Sequence, residues 1–462
     1  MSQGSQRDFT QGSIPRHILM FSLPLFAGNL LQMLYNVVDS IWVGQVIGKH
    51  ALGAVTVSQP LIFALISLVV GLTMATSTLV GQYRGAGNEE MVRRTIGTSL
   101  ILLAALGALV GVIGVILRYP MLRLIATPEE NIHDSAAYLG IYMGGILALF
   151  LYNTLGAILR GLGDANPPLV ALAIATVLNI VLDSVFILGL GPVPQMGVPG
   201  VAIATVIAQG VSAVWLAWWI LKKTDLVGLN REYWQVDWGL AGRIFRIGLP
   251  AGLQQAVVSF GMVTVTALIN SFGPDVVAAF GAAQRLDSAA FLPSMSMGLA
   301  VTSVVAQNLG AGKLDRVSSA VRWCAGLGVL ITAAVTAVAV MKPTILIALF
   351  NREPDVLAAG SLYLKINGWS YIFFALVFVL GGVMRGAGDT MATLILTIIG
   401  LWVVRVPAAY LLARNLGMGP AGIWTGILIS AVASFLLHLG YYATGRWKRK
   451  ALLPDPTPAG QG

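Results

Sequence analysis

Two acidic residues lie within long apolar stretches of this sequence, where a charge is costly if the stretches are buried in lipid. Asp39 closes the segment Tyr35-Asn-Val-Val-Asp39, and Asp183 closes the segment Asn179-Ile-Val-Leu-Asp183. An ionised acid near the middle of a bilayer costs roughly 2.5–3.5 kcal/mol or more, so such acids usually face a cavity and act in ion pathways. We therefore treat both acids as candidate ion-coupling residues.

Each acid has a polar residue four positions earlier, which places the two on one face of a helix. The two faces can converge on one pocket that holds two carboxylates, the Tyr35 phenol and the Asn179 amide. Two carboxylates in a poorly solvated pocket disfavour double ionisation, so at least one could accept a proton near neutral pH. Sodium could neutralise the pair instead, at Asp39, Asn179 and Asp183. A plainer alternative is an acid that bonds a backbone amide at a helix end, above all Asp39.

The composition requires that these residues sit in a membrane protein. Of 462 residues, 57% are hydrophobic and only 10% are charged, with a mean hydropathy of +0.82, whereas soluble domains carry roughly 25% charged residues. The apolar runs do not alternate as barrel strands do, and each spans a ~30 Å hydrocarbon core as a helix. A single Cys324 and four scattered histidines exclude a disulfide framework and a cysteine-rich metal site.

We predict an all-α membrane protein with twelve transmembrane helices. Most Lys and Arg residues, including the tail Arg446–Lys450, fall on one side of this arrangement, which makes both termini cytoplasmic by the positive-inside rule. This distribution explains the net charge of +9 without a nucleic acid. The predicted spans cover residues 15–46, 52–83, 94–117, 136–160, 168–190, 197–221, 240–272, 276–309, 319–341, 359–385, 391–413 and 420–444.

An internal repeat divides these spans into two equivalent sets of six. Arg160-Gly-Leu-Gly-Asp164 recurs as Arg385-Gly-Ala-Gly-Asp389, 225 residues later, and Gly85-Ala-Gly87 recurs as Gly310-Ala-Gly312 at the same spacing. We expect these motifs to form tight turns between helices. The predicted domains are an N-terminal lobe at 1–221 that carries the cation site, a linker at 222–239, a C-terminal lobe at 240–445 and a basic tail at 446–462.

Only the first half carries the acids of the candidate pocket. At the repeat spacing, Asp39 corresponds to Thr264 or Val265, and Asp183 corresponds to Ala408. The second half has its own intramembrane charges, and Arg285, Asp287 and Arg405 are candidates to line a cavity there. Arg285 and Asp287 are two residues apart and do not face each other on a helix.

These motifs together resemble the multidrug and toxic compound extrusion (MATE) family of cation-coupled antiporters. The resemblance covers nearly the whole chain and rests on Ser22-Leu-Pro24, Asp39-Ser-Ile-Trp-Val-Gly44 and the two pairs of glycine-rich turns. It implies that a functional monomer, not an enzyme, exports a small cationic substrate across a prokaryotic cytoplasmic membrane. Neither a nucleic acid nor a cofactor is expected, and the coupling ion is H⁺ or Na⁺. Membrane lipid is the other expected partner.

Within the family, the resemblance is to the DinF-like branch, which places its cation site in the N-terminal lobe. Carried over to this sequence, the site comprises Tyr35, Asp39, Asn153, Asn179, Asp183 and Thr205. The second-lobe acids of other members fall near Gln255 and Ala375, so that site is absent and protons are modestly favoured over sodium.

Pro24 removes one backbone hydrogen bond from the first helix and gives it a place to bend during transport, although a static kink explains it equally well. An alternative function is a flippase of the same superfamily that moves a lipid-linked oligosaccharide or a polysaccharide precursor. A flippase needs a strongly basic cavity for phosphate, whereas the first half here is acidic.

Overall fold

The computed structural model describes residues 7–41, 49–190, 194–224 and 233–450. Every regular element within these ranges is helical, which confirms the all-α prediction. The helices of the first half are α1 (Ile14–Ile41), α2 (Lys49–Gly85), α3 (Glu89–Leu124), α4 (Glu129–Gly144), α5 (Ile146–Gly161), α6 (Asn166–Leu188) and α7 (Val198–Lys223).

The second half repeats this order with more interruptions. Its helices are α8 (Trp238–Asn270), α9 (Pro274–Gly310), α10 (Leu314–Met341), α11 (Pro343–Ala348), α12 (Pro354–Asn367), α13 (Ser370–Gly386), α14 (Thr390–Ile398), α15 (Val406–Tyr410) and α16 (Pro420–Ala443). The π-helical stretch Ile399–Arg405 joins α14 to α15, and a second one, Leu411–Asn415, follows α15, so that Thr390–Asn415 forms a single span. Such wide turns are frequent at functional sites.

The twelve predicted spans are all recognisable in the described ranges, and two of them are bent. Ten helices are long and apolar enough to cross a membrane, and two bent pairs bring the number to twelve. The pairs are α4 with α5, bent by 46°, and α12 with α13, bent by 48°. These bends, at equivalent places in the two halves, were not predicted. At the first, a Cβ on Gly145 would lie 2.2 Å from Val206, so only glycine fits there.

The described residues form two compact units that do not follow chain order at helices α1 and α8. The first unit includes Arg7 and runs from Ala27 to Leu249, and the second contains Asp8–Phe26 and the chain from Pro250 onwards. The first turns of α1 therefore belong to the second unit, and those of α8 to the first. The predicted lobes instead assign each helix whole to its own half, because a repeat spacing carries no information about packing.

Both units use the same packing scheme. In the first unit α2 packs against α3 and α5, and α6 packs against α7. In the second unit α9 packs against α10 and α13, and the span that contains α15 packs against α16. Large buried side chains fill these contacts, such as Phe150 and Leu79 in the first unit and Trp424 and Phe280 in the second. The sequence repeat is therefore a structural repeat.

The segment before α1 is bound tightly within the second unit. Phe9 is fully buried and packs edge-on against Phe21. Its amide donates to Gln307 Oε1 at 3.0 Å, and its carbonyl accepts from Asn308 and Arg316 at 3.1 and 2.8 Å. Arg316 also donates to the carbonyls of Gln11 and Gly12. These contacts hold the start of α1 against the turn between α9 and α10.

The repeated Arg-Gly-x-Gly-Asp motifs are tight turns, as predicted, and each glycine has its own reason. Gly163 and Gly388 have φ angles of +86° and +82°, in the region that side chains disfavour. Gly161 lets α5 approach α2 closely, and Gly386 lets α13 approach α9 in the same way. A Cβ at these positions would lie 2.7 Å from the Ser77 carbonyl oxygen and 2.6 Å from that of Thr302.

Substitution of these glycines by alanine should destabilise the protein to different degrees. Gly163→Ala should lower the free energy of unfolding by about 1–2 kcal/mol, the cost of a left-handed residue with a Cβ. Gly161→Ala should cost more, because a backbone carbonyl has to move. As a control, Gly326 has a helical backbone and open space at its Cβ, so Gly326→Ala should stabilise by about 0.5–1 kcal/mol. Chemical unfolding in mixed micelles measures all three, and equal effects would contradict this account.

Candidate ion-coupling site

Thr205 is the junction of the predicted polar pocket in the first unit. Its hydroxyl donates to the Val201 carbonyl at 3.0 Å, one turn earlier on α7. Asn179 Nδ2 on α6 donates to the same oxygen at 3.4 Å, and Tyr35 Oη on α1 lies 3.4 Å from it. Because a hydroxyl has one proton and that proton is already used, Tyr35 is the donor in its pair with Thr205. Helices α1, α6 and α7 thus converge on one side chain.

Asp183 lies on the buried face of α6. Its exposed fraction is 0%, and that of Asn179, one turn earlier, is 1%. Exposed side chains such as Val177 and Val181 occupy the other side of the same helix. An acid that is fully removed from both lipid and water has the burial expected of an ion-pathway residue and not of a residue facing the bilayer.

The remaining predicted site residues differ in their burial and contacts. Asn153 on α5 is half-buried and donates its amide to the Leu149 carbonyl of its own helix at 2.9 Å. Pro24 is half-buried within α1. The backbone of Asp39 belongs to α1, but its side chain lies outside the described residues, so its place in the pocket stays a prediction.

A second polar cluster, within the second unit, surrounds Asp287 on α9. Tyr363 and Tyr371 donate their hydroxyl protons to the two oxygens of its carboxylate, the latter at 2.6 Å. Asn367 in turn donates to the Tyr363 oxygen at 2.6 Å. All four side chains are buried. The carboxylate charge is therefore stabilised by two phenols that come from either side of the bend between α12 and α13.

Arg405 supplies the positive charge nearest to this cluster. Its Nε donates to Ser430 Oγ at 2.8 Å, and its guanidinium lies over the Phe374 ring at 5.5 Å. It influences Asp287 electrostatically without a direct ion pair among the described residues. Arg285, in contrast, is exposed and lies over the Phe350 ring. The structure thus places Asp287 and Arg405 near each other and Arg285 apart from them.

The two tyrosines and Asn367 were not predicted as site residues. Tyrosine is common in membrane helices as an apolar or interfacial residue, and the sequence does not show which acid a given tyrosine hydroxyl binds. The available indication was Asp287 itself, because an acid in an apolar span needs a polar partner.

Asp164 lies in the turn between α5 and α6, outside the membrane spans, and its carboxyl has an altered pKa. Burial raises the pKa of its carboxyl from 3.8 to about 6, while the Asn166 amide and the Arg7 guanidinium act in the opposite direction. The Asn166 amide donates to Asp164 Oδ1 at 3.1 Å. The last residue of the repeated motif is thus a buried acid.

Comparison with known proteins identifies the chain. The MatE family matches residues 24–185 and again residues 250–411, which is the duplication seen in the sequence. The probable multidrug resistance protein YpnP of Bacillus subtilis is 38% identical, and the alignment covers 97% of this chain and 99% of the relative. A solved structure, the outward-facing conformation of a multidrug resistance MATE family transporter, has a TM-score of 0.88 at 27% identity and covers 97% of this chain and 99% of the other.

The fold therefore defines an integral membrane transporter built from two related six-helix halves, not an enzyme. The chain belongs to the MatE family and is an integral membrane transporter of the bacterial plasma membrane. Several of the relatives are named multidrug resistance proteins. The family resemblance inferred from its motifs is confirmed. The relatives do not favour the alternative flippase function.

Removal of the Asp287 carboxylate should destabilise the second unit. Asp287→Leu leaves two buried phenol hydroxyls without an acceptor, at a cost of about 1–3 kcal/mol for each. Chemical unfolding in mixed micelles should show this loss. Replacement of both tyrosines by Phe in the Asp287→Leu background should recover part of it, because both stranded phenol donors are removed and only the Asn367 amide loses its acceptor. If the single variant unfolds like the wild type, the cluster does not stabilise the fold.

Asp164 should make stability depend on pH. Its pKa is higher in the folded than in the unfolded chain, so its favourable contribution is complete below about pH 4 and is lost as the pH rises through about 6. Asp164→Asn should therefore unfold at a higher temperature than the wild type at pH 7.5 and at a similar temperature at pH 4.5. Thermal unfolding followed by tryptophan fluorescence tests this, with the exposed Asp134→Asn as control. A wild-type pH dependence retained by Asp164→Asn would refute it.

Proposed function

We propose that this transporter exports organic cations in exchange for protons and that Asp39 and Asp183 carry the coupling, as in the DinF-like branch of the family. The observation that carries the proposal is Asp183. It is a fully buried acid one turn after Asn179 on α6, and Asn179 and Tyr35 both bond the Thr205 hydroxyl. An acid kept in such a place at a cost of roughly 2.5–3.5 kcal/mol is expected to bind and release an ion.

The polar residues around the acids suit a site that changes its charge. Thr205 already uses its proton on α7 and accepts from two other helices, so α1, α6 and α7 are connected through a single oxygen. When the acids are ionised, the pocket attracts a cationic substrate. When they take up protons from outside, the attraction disappears, the hydrogen bonds rearrange and the substrate leaves. The same residues could hold sodium, which is the alternative coupling ion.

Pro24 gives α1 a place to respond to this change. Residues of α1 up to Phe26 belong to one unit and residues from Ala27 onwards to the other, so the proline lies two residues before the point of transfer. A bend there would alter the link between Tyr35 and the bound segment at Phe9. Solved structures of a similar MATE protein, 27% identical to this chain, are described as bent and straight conformations. We propose that α1 of this chain alternates in a comparable way.

Efflux from vesicles with imposed gradients tests the coupling. Purified wild-type protein in liposomes should move ethidium faster when a proton gradient is applied and should not respond to a sodium gradient. Asp183→Asn and Asp39→Asn should each lose the stimulation by at least tenfold, because an amide cannot take up the proton. Stimulation by sodium alone would replace the proton by sodium in this scheme.

Two controls separate coupling from folding. Asp134→Asn changes an exposed acid in α4 and should keep the full response. The amount of each variant recovered in the liposomes, and its thermal unfolding temperature, should match the wild type within a few degrees. Undiminished proton-driven efflux in a well-folded Asp183→Asn variant would refute the assignment.

A further inference from the structure

The first unit has an open groove of about 670 Å³ that no transport step described above uses. Its walls are almost wholly apolar and come from α3, α5 and α7, with Leu100, Leu151 and Val214 among them. Trp234, in the segment that precedes α8, closes one end, and the bend between α4 and α5 closes the other. An exposed apolar groove of this kind on a membrane helix bundle is a place for a hydrocarbon chain.

Glycines keep the groove empty of protein side chains. Gly144 and Gly210 both line it, and a Cβ on Gly144 would meet nothing within 4 Å. Neighbouring apolar side chains point outward, since Val214 is 70% exposed and Leu147 is 37% exposed. The groove is therefore open at the surface of the first unit. It is deep because the glycines that line it have no side chains, and not because polar residues form an opening.

The length of the groove matches one leaflet of a bilayer. Along α7 it extends from Val206 to Ala217, which is about 16 Å at ~1.5 Å per residue. Half of a ~30 Å hydrocarbon core is about 15 Å. A groove of this length that runs along a spanning helix holds one acyl chain of one leaflet.

The end of the groove near Ala217 has the features of a headgroup region. Lys222 and Lys223 close α7 and lie over the rings of Trp218 and Trp219, at 5.1 and 5.9 Å. Neither lysine has an acidic ion-pair partner in the part of the chain that the structure describes. Trp234 is 40% exposed at the same end. Tryptophans with adjacent basic residues mark the level of the headgroups, where anionic lipids are attracted.

We propose that this groove is a binding site for an anionic phospholipid. One acyl chain lies along α7 between Ala217 and the bend at Gly145, and the phosphate is held by Lys222 and Lys223. The groove and the polar pocket share α7, because Val206 lines the groove and Thr205, the residue before it, bonds both Tyr35 and Asn179. A bound lipid thus packs against the helix that carries the junction of the coupling site.

Native mass spectrometry of the full-length protein in detergent tests the site. The probes are phosphatidylglycerol and phosphatidylcholine with identical acyl chains. The wild type should retain one phosphatidylglycerol at least tenfold more tightly than phosphatidylcholine. Gly144→Leu adds a side chain at a lining position where a Cβ meets nothing within 4 Å, so it should occupy part of the groove and weaken phosphatidylglycerol binding at least tenfold. Gly326→Leu, the same change at an open position on α10, should leave binding unchanged.

The headgroup contact is tested separately. Replacement of Lys222 and Lys223 together by Gln should reduce phosphatidylglycerol binding to the level of phosphatidylcholine while an acyl chain still enters the groove. Thermal unfolding within a few degrees of the wild type shows that each variant is folded. Equal binding of both lipids by the wild type overturns the headgroup assignment. Undiminished phosphatidylglycerol binding in Gly144→Leu overturns the site, and so does an equal loss in Gly326→Leu.

Discussion

The absence of water inside a bilayer is the constraint on which this structure depends. A buried hydroxyl, amide or carboxylate in a membrane helix has to find its hydrogen bonds within the protein, since the lipid offers none. Thr205 illustrates the result, because one oxygen serves three helices. Asp287 illustrates it again, with a phenol donating to each carboxylate oxygen. Polar residues are few in this chain, and each of these joins helices that hydrophobic packing alone would hold only loosely.

The two halves meet this constraint at different places. In the first unit the Thr205 cluster connects α1, α6 and α7, whereas in the second unit the Asp287 cluster connects α9 with α12 and α13. The glycine-dependent turns and the close helix approaches are nevertheless the same in both, down to the angles of Gly163 and Gly388. Duplication has thus kept the backbone framework, while the polar interior has diverged.

The sequence predicts the framework well because its causes are local. Long apolar stretches require spanning helices, and glycines at fixed intervals require turns, so the helix number and the repeat follow directly. The pocket of Tyr35, Asn179 and Thr205 was also within reach, since residues four apart share a helix face and the family resemblance supplied the third helix. The bends between α4 and α5 and between α12 and α13 were not. Glycines lie at both places, Gly145 and Gly368, but a glycine in a membrane helix is compatible with either a straight or a broken helix.

The sequence also does not reveal contacts between residues that are distant in the chain. Nothing in the sequence links Asp287 to Tyr363 or Tyr371, which are 76 and 84 positions away. The exchange of the first turns of α1 and α8 between units is hidden for the same reason, since it depends on which surfaces fit and not on any single residue. The repeat spacing shows which positions are equivalent, but it does not show which half of the chain each position packs against.

That exchange has a consequence for how the chain is made. Residues 8–26 leave the ribosome first but pack within a unit whose other members begin at Pro250. The first turns of α1 therefore lack their packing partners until more than half of the protein has been synthesised. Meanwhile the first unit is completed only when the opening turns of α8 arrive. Neither half of the chain is therefore a finished folding unit when it is made alone, because each unit includes helix turns that the other half supplies.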